Sequence, residues 1–302
     1  MNFRVKCALK TIVGKLPASD RLDYLVQKYL SRSMPPRPQA LEKKYKQAVR
    51  YHEIYRKYGT TAPDKAVVYE IGCGWHLAMA FGFSTLGYGR IIALDVSEHV
   101  KPEIINKTIS YISETHLSGS APQLVNEKNL RDVLWDSYRI ALKVPCDSTQ
   151  TGLEDQSVDF IYSHNVFEHI PPELIPQIMD ECYRVLKDDG IISFLIDYSD
   201  HYITFDKSIT PYNFLRYDDK QWRKYNPPLH YVNRLRHSDF VHMFRQAGFE
   251  IVEETPNRPQ NWENMVKNFP FADSFRERYS METLSITSAR FVLKKSVGCE
   301  RS

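Results

Sequence analysis

From Ala66 onward, short apolar, β-branched runs alternate with amphipathic stretches: AVVYEIG (66–72), RIIALDVS (90–97), IALKVPCD (140–147), VDFIYSHNV (158–166) and IISFLIDYS (191–199). Strands covered by helices on both faces read as nearly unbroken apolar runs, because neither face meets water. Five such runs separated by helical stretches predict an α/β fold, a Rossmann-like doubly wound and mostly parallel sheet. Further on, SDFVHMFRQAGFEIVEE (238–254) predicts a helix capped by Ser238 and ended by Gly248, then a strand. ITSARFVLKK (286–295) predicts a last strand, antiparallel to the others.

Upstream the period changes. Residues 1–60 read as two or three helices: LDYLVQKYL (Leu22–Leu30) has helical apolar spacing, MPPRP (Met34–Pro38) breaks the pattern, and ALEKKYKQAVRYHEIYRKYG (Ala40–Gly59) resumes it. The expected organisation is a basic helical N-terminal appendage over 1–60 and a main domain over 61–302. Within the main domain an insertion is expected at about 97–138, around the polar SGSAP patch (Ser118–Pro122). Residues from about 200 to 237, aromatic, basic and aperiodic, form a lid after the fifth strand; long irregular segments at strand ends carry function more often than not.

Composition refines this outline in two respects. Among 302 residues, segment 1–60 holds fourteen Lys/Arg against four Asp/Glu, so a local charge of +10 hides behind the overall +3. A basic arm suggests an acidic partner such as anionic lipid, nucleic acid or an acidic glycan, the alternative being a plain solvated helix face. The five cysteines, Cys7, Cys73, Cys146, Cys182 and Cys299, form no C-x-x-C pair, which argues against a disulfide framework and against a structural zinc site. Lysines interrupt every N-terminal apolar run that could serve as a signal peptide or a membrane span, so a cytoplasmic location is expected.

The stretch VVYEIGCGWHLAMA (67–80) carries the chemistry. A strand turning into a helix through Gly72 and Gly74 is a cradle in which backbone approaches a ligand closely. A pyrophosphate site would continue as G-x-G-x-x-G, but Leu77 holds the third position and Glu70 stands two residues before Gly72. An acid so placed repels phosphate and suits a ligand with an ammonium group and a ribose. Asp95 closes the second strand, where a carboxylate accepts two bonds from vicinal ribose hydroxyls.

YEIGCGWH, IIALDVS, VPCDSTQTGLEDQSVDFIYSHNVFEHI and CYRVLKDDGIISFLID fall in the order and near the spacing of the class I S-adenosylmethionine-dependent methyltransferases, which this chain resembles over about Ala66–Asp197. The resemblance implies S-adenosyl-L-methionine as cofactor. It places Glu70, Gly72 and Gly74 along the methionine end, Asp95 at the ribose, Asp147 near the adenine amino group and Asn165 beside the methionine moiety. Many members have a third glycine where Trp75 and His76 follow here. That pair either shapes the pocket or is local packing.

Methyl transfer is an in-line displacement, so a hydroxyl acceptor needs positioning and a base. DYSDHY (197–202) ends the fifth strand, and His201 is the expected base, oriented by Asp197 or Asp200; the alternative is that these acids cap a turn. His164 and His169 end the fourth strand, and His169 at that place packs against the helix start that follows. The other alternative is that this Asp/His set binds a divalent metal, as in metal-dependent O-methyltransferases, but nothing in the spacing identifies a metal site and two hard oxygen ligands are a thin basis for one. The acceptor is expected against Arg216, Tyr217, Trp222, His230 and Arg234, since aromatic faces stack on sugars and arginine pairs with anions. WRKYNPPLHYVNRLR (222–236) is loosely similar to the lid of methyltransferase-like proteins of bacterial surface-glycan assembly.

The expected function is methyl transfer to a hydroxyl of a sugar, a glycan precursor or another small molecule. A lipid-carried precursor would account for the basic N-terminal helices as a peripheral contact with the inner face of an anionic membrane. An RNA methyltransferase is the first alternative; against it, the basic residues sit in the appendage while the rest of the chain is net acidic. A non-catalytic scaffold is the second, and paired acids around a glycine turn count against that.

Overall fold

The computed structural model describes residues 2–14, 34–117 and 122–296. The expected helix at Leu22–Leu30, most of the Ser118–Pro122 patch and Cys299 lie outside the described residues. Seven strands form one sheet: β1 (Val67–Ile71), β2 (Arg90–Leu94), β3 (Ile140–Lys143), β4 (Val158–His164), β5 (Leu186–Asp197), β6 (Phe249–Asn257) and β7 (Ser288–Lys295). Their order is β3-β2-β1-β4-β5-β7-β6. The first five run parallel, and β7 lies antiparallel between β5 and β6. Strand order reverses between β1 and β4, which is where a doubly wound sheet opens a crevice at its carboxyl edge.

Alternation along the strands sorts the core into two layers. Val68, Ile91, Ala93, Phe160 and Tyr162 face one layer, while Tyr69, Ile71, Ile92, Leu94 and Ile161 face the other. Ahead of the sheet stand α1 (Phe3–Gly14) and α2 (Pro38–Tyr58). The first layer is closed by α2 with α3 (Ala78–Thr85), α4 (Pro102–Thr115) and α5 (Leu130–Tyr138). The second is closed by α6 (Ile175–Val185) and α7 (His237–Gln246). Ser238 does not cap α7 as expected. The helix starts at His237, so the cap position falls on Arg236, two residues earlier; the Asp239 carboxylate accepts the Arg236 N–H at 2.7 Å, and Ser238 falls within the first turn.

Although α2 belongs to the segment expected as an appendage, it buries Ala48, Tyr51, Ile54 and Tyr55 in the main core. Two contacts fix its position. The Tyr51 hydroxyl donates to the Ser163 carbonyl at 2.7 Å, and a Cβ on Gly82 of α3 would stand 2.6 Å from the Ala48 Cβ. By contrast, α1 packs on a third cluster with Tyr202, Tyr212, Phe214, Trp222 and Val232, so the aromatic segment expected as a lid has its own apolar core. There the Phe3 N–H donates to Asp206 at 2.9 Å and the Cys7 thiol to the Lys224 carbonyl at 3.3 Å.

Gly82→Ala sets helix propensity against packing. Alanine favours a helix interior by about 1 kcal/mol, whereas overpacking costs roughly 1–3 kcal/mol. We expect the packing loss to win, lowering the thermal midpoint by several degrees in a calorimetric scan; an unchanged or higher midpoint would show that α2 and α3 are free to separate.

Candidate active site

A cavity of about 850 Å³ opens at the carboxyl edge, lined by the ends of β1, β2 and β4. Its floor is the turn after β1. The N–H groups of Gly72 and Cys73 donate to the Leu94 carbonyl at 2.9 and 3.0 Å, which ties that turn to the end of β2. Gly72 has φ +78°, and a Cβ there would lie 2.6 Å from the Val166 side chain, so only glycine fits. Asp95 accepts the Gly74 N–H at 2.9 Å on one oxygen and the Ser97 N–H at 3.1 Å on the other. A carboxylate has about four lone-pair sites, so capacity for two hydroxyl donors remains. Asn165, with φ +57°, follows β4 and donates its N–H to the Leu195 carbonyl at 2.9 Å.

Glu70, Gly72, Gly74, Asp95, Asp147 and Asn165, the six residues expected at the cofactor, all line this one cavity. Glu70 is buried and its Oε2 has no hydrogen-bond partner among the described residues. Burial pushes its carboxyl up to about 8, while the Tyr162 hydroxyl and the Lys44 ammonium oppose the shift. Lys44, from α2, lies near both Glu70 and Glu168, and burial holds it below the ordinary lysine value. Trp75 stacks on His99 with centroids 4.3 Å apart, and both line the cavity with His76. His76 Nδ1 accepts the Ala78 N–H at 3.2 Å, and burial pushes the ring down to about 4. Burial likewise brings His164 and His230 to about 3, so His76, His164 and His230 are neutral at physiological pH.

The expected catalytic group divides, and none of its three residues lines the cavity: His201 stands behind His169, which does. His201 Nε2 is 3.6 Å from Asp197 Oδ2, and the ring packs edge-on against His169 with centroids 4.9 Å apart. Burial lowers the His201 value, Asp197 raises it and His169 lowers it again. Asp200 is not its partner. That carboxylate is fully buried and accepts the Tyr202 N–H at 2.9 Å and the Asn213 amide at 2.8 Å, a turn cap in which burial holds its value up to about 6.

Among the expected acceptor residues, His230 lines the cavity and the other four do not. Arg234 is buried and donates to the Phe214 and Tyr217 carbonyls at 2.9 and 2.6 Å, and to Asp219. Trp222 is buried in the third cluster, Tyr217 packs against Trp222 and Tyr225, and Arg216 is exposed beside Tyr217. Arg234, Trp222 and Tyr217 hold the segment together from within, while Arg216 stays on the surface. Sequence reasoning missed Lys44, one of several lysines along a polar helix, and Glu168, whose significance appears only when the ends of β4 and β5 are side by side.

Residues 69–194 match the family model described as a methyltransferase domain. The chain is an S-adenosylmethionine-dependent methyltransferase. The Pyrococcus horikoshii PH0226 protein resembles this methyltransferase in fold, with a TM-score of 0.51 at 13% identity over 90% of this chain and 99% of that one. The geranyl diphosphate C-methyltransferase of Streptomyces coelicolor A3(2), solved with Mg2+, geranyl diphosphate and S-adenosyl-L-homocysteine, gives 0.47 at 12% over 87% and 86%. A SAM-dependent methyltransferase from Methanosarcina mazei gives 0.44 at 15% over 80% and 97%. No curated protein matches in sequence.

The buried Glu70 carboxyl makes a signed prediction for this methyltransferase. Its value in the fold, about 8, exceeds the ordinary 4.5, so its contribution to stability is fully present below about pH 4.5 and is lost as pH rises through 8. Glu70→Gln keeps the neutral shape at every pH. Thermal midpoints of the two proteins should coincide near pH 5, and the variant should melt several degrees higher near pH 9; a variant that melts lower near pH 9 would show the carboxylate to be stabilised in the fold.

Proposed function

We propose that the methyl acceptor is a hydroxyl of a sugar, a glycan precursor or another small molecule. The observation that carries this reading is the charge of the cavity: among the described residues Lys44 is the one Lys or Arg that lines it, against Asp95, Asp147 and a Glu70 carboxyl that burial keeps mostly protonated at neutral pH. A polyanion such as RNA is held mainly by cations on its phosphates, and such a lining offers few. Neutral imidazoles, peptide groups and the Trp75–His99 face suit a polar uncharged molecule instead.

The lining fits the cofactor. In this reading Glu70 receives the ammonium group and Lys44 the carboxylate of the methionine portion, Asp95 holds the ribose hydroxyls, and Asp147 meets the adenine amino group. Gly72, Gly74 and Asn165 admit the ligand close to backbone. S-adenosylmethionine supplies an electrophilic methyl group on a sulfonium. The His201–Asp197 pair takes the acceptor proton: the imidazole, neutral through burial, accepts it, and the carboxylate 3.6 Å away stabilises the resulting cation.

Calorimetric titration with S-adenosylhomocysteine tests the cofactor site. Wild type should bind, Asp95→Ala should bind at least about tenfold more weakly as two charge-assisted bonds are lost, and NAD should not bind. Binding that is indifferent to Asp95 would remove the assignment. Sugars and nucleotide sugars are the acceptors to screen next, with bulk tRNA as the competing class.

The exposed side of α1 supports a second element of the reading. Val5, Leu9 and Ile12 are 53%, 49% and 61% exposed, spaced along one stripe of a helix that also bears Arg4, Lys6 and Lys10. We propose that this helix rests on an anionic membrane, with the stripe in the headgroup boundary. The full chain should sediment with vesicles containing phosphatidylglycerol and stay in solution with phosphatidylcholine alone. The triple variant Val5→Ser, Leu9→Ser, Ile12→Ser should lose sedimentation; if it sediments equally, the stripe is not the contact.

A further inference from the structure

We propose that Glu168, His169 and His201 form a site for one divalent first-row transition-metal ion at the edge of the cavity. One ligand atom from each lies within 4.8 Å of the others. Neighbouring parallel strands bring them together: Phe167–His169 is the turn after β4, His201 begins the turn after β5, and His164 pairs with Leu195 in register. Ligands about 2.1 Å from a common ion lie roughly 3–4 Å apart, so the three need to draw in by about 1 Å.

Three observations point to a ligand here and not to a chance cluster. Glu168 is 2% exposed and neither carboxylate oxygen has a hydrogen-bond partner among the described residues. A buried carboxylate without bonds is the group that a cation would complete. His201 Nε2 is also buried without a hydrogen bond. The His169 Nδ1–H donates to the Tyr231 carbonyl at 2.7 Å, which fixes the ring and leaves Nε2 as the free lone pair, the arrangement found around metal-binding histidines.

The turn itself is braced. The Asn233 side-chain amide donates to the Phe167 and Ile170 carbonyls at 2.7 and 2.9 Å, and its N–H donates to the Glu168 carbonyl at 2.9 Å. Two imidazoles with one carboxylate favour Mn2+, Fe2+, Co2+ or Zn2+ over Mg2+ and Ca2+, which prefer oxygen alone. Three protein ligands leave coordination positions open, and His169 lines the cavity beside His230 and Tyr231.

The use of the ion rests on the hydroxyl-acceptor reading; the site itself does not. An acceptor hydroxyl next to the ion would ionise more readily, its proton passing to Asp197 and its electron pair staying on oxygen. His201 would then hold the ion, and Asp197, at the edge of the same cluster, would take over as proton acceptor.

Chelator-stripped, tag-free protein titrated with Co2+ and followed by visible absorption tests the site. We expect one Co2+ per chain, with ligand-field bands. Affinity should fall at least about tenfold in Glu168→Gln and in His201→Gln and be unchanged in Asp147→Asn, all with wild-type circular dichroism. If Glu168→Gln does not fold, His201→Gln carries the same test. Absence of stoichiometric Co2+ in wild type, or equal affinity in the folded variants, would overturn the proposal. S-adenosylhomocysteine titrated into the stripped protein separates the two readings: nucleoside binding without a Co2+ site removes only the metal, and Co2+ binding without nucleoside binding removes only the cofactor assignment.

Discussion

An ammonium near two buried carboxyl groups organises one end of this molecule. Lys44 arrives from α2, Glu70 from β1 and Glu168 from the turn after β4, and burial acts against the charge of each. An ion taken from water is tolerated only where opposite charge or a ligand offsets its lost hydration. The placement of α2 is therefore a requirement of the site as well as of the core. It is met by the Ala48–Gly82 approach and by the bond from Tyr51 to Ser163, which join the helix to α3 and to the strand that leads into Asn165 and Glu168.

The substitution of Trp75 and His76 for the more usual glycine changes the cavity in kind. Both side chains line it, with Trp75 flat against His99 and His76 bonded back to the helix start through Ala78. The turn consequently has an aromatic wall where a glycine would leave open backbone. Of the two readings open from sequence, the pocket-shaping one and the packing one, the structure contains both: stacking is what holds the wall in place.

The sheet was legible because each strand declares itself. Runs such as Val67–Ile71 and Ile91–Leu94 have no place but a doubly covered sheet, and Gly72 with Asp95 marks the edge that opens. The site was legible where one short motif holds the residue, as at Glu70, Gly74 and Asn165. It was not legible where the relevant distance crosses elements. Glu168 and His201 meet only through the register of β4 on β5, and Lys44 differs from Lys43 or Lys46 only by the direction it faces on α2. The aromatic and arginine-rich segment misled for another reason. Tryptophan, tyrosine and arginine are the residues of binding surfaces and equally those that brace irregular backbone, and Arg234 and Arg236 use their guanidinium groups on carbonyls of their own chain.

One wall of the cavity is supported from a distance in sequence. Leu229 and His230 line the cavity, and the turn that holds them, Pro228–His230, packs on α1, where a Cβ on Gly14 would lie 3.5 Å from the Leu229 side chain. The first helix is thus a buttress for the mouth of the vessel. A chain in which it swung away would keep its sheet and its nucleoside cradle but would have a wider, wetter entrance, and would discriminate less well between acceptors of different length.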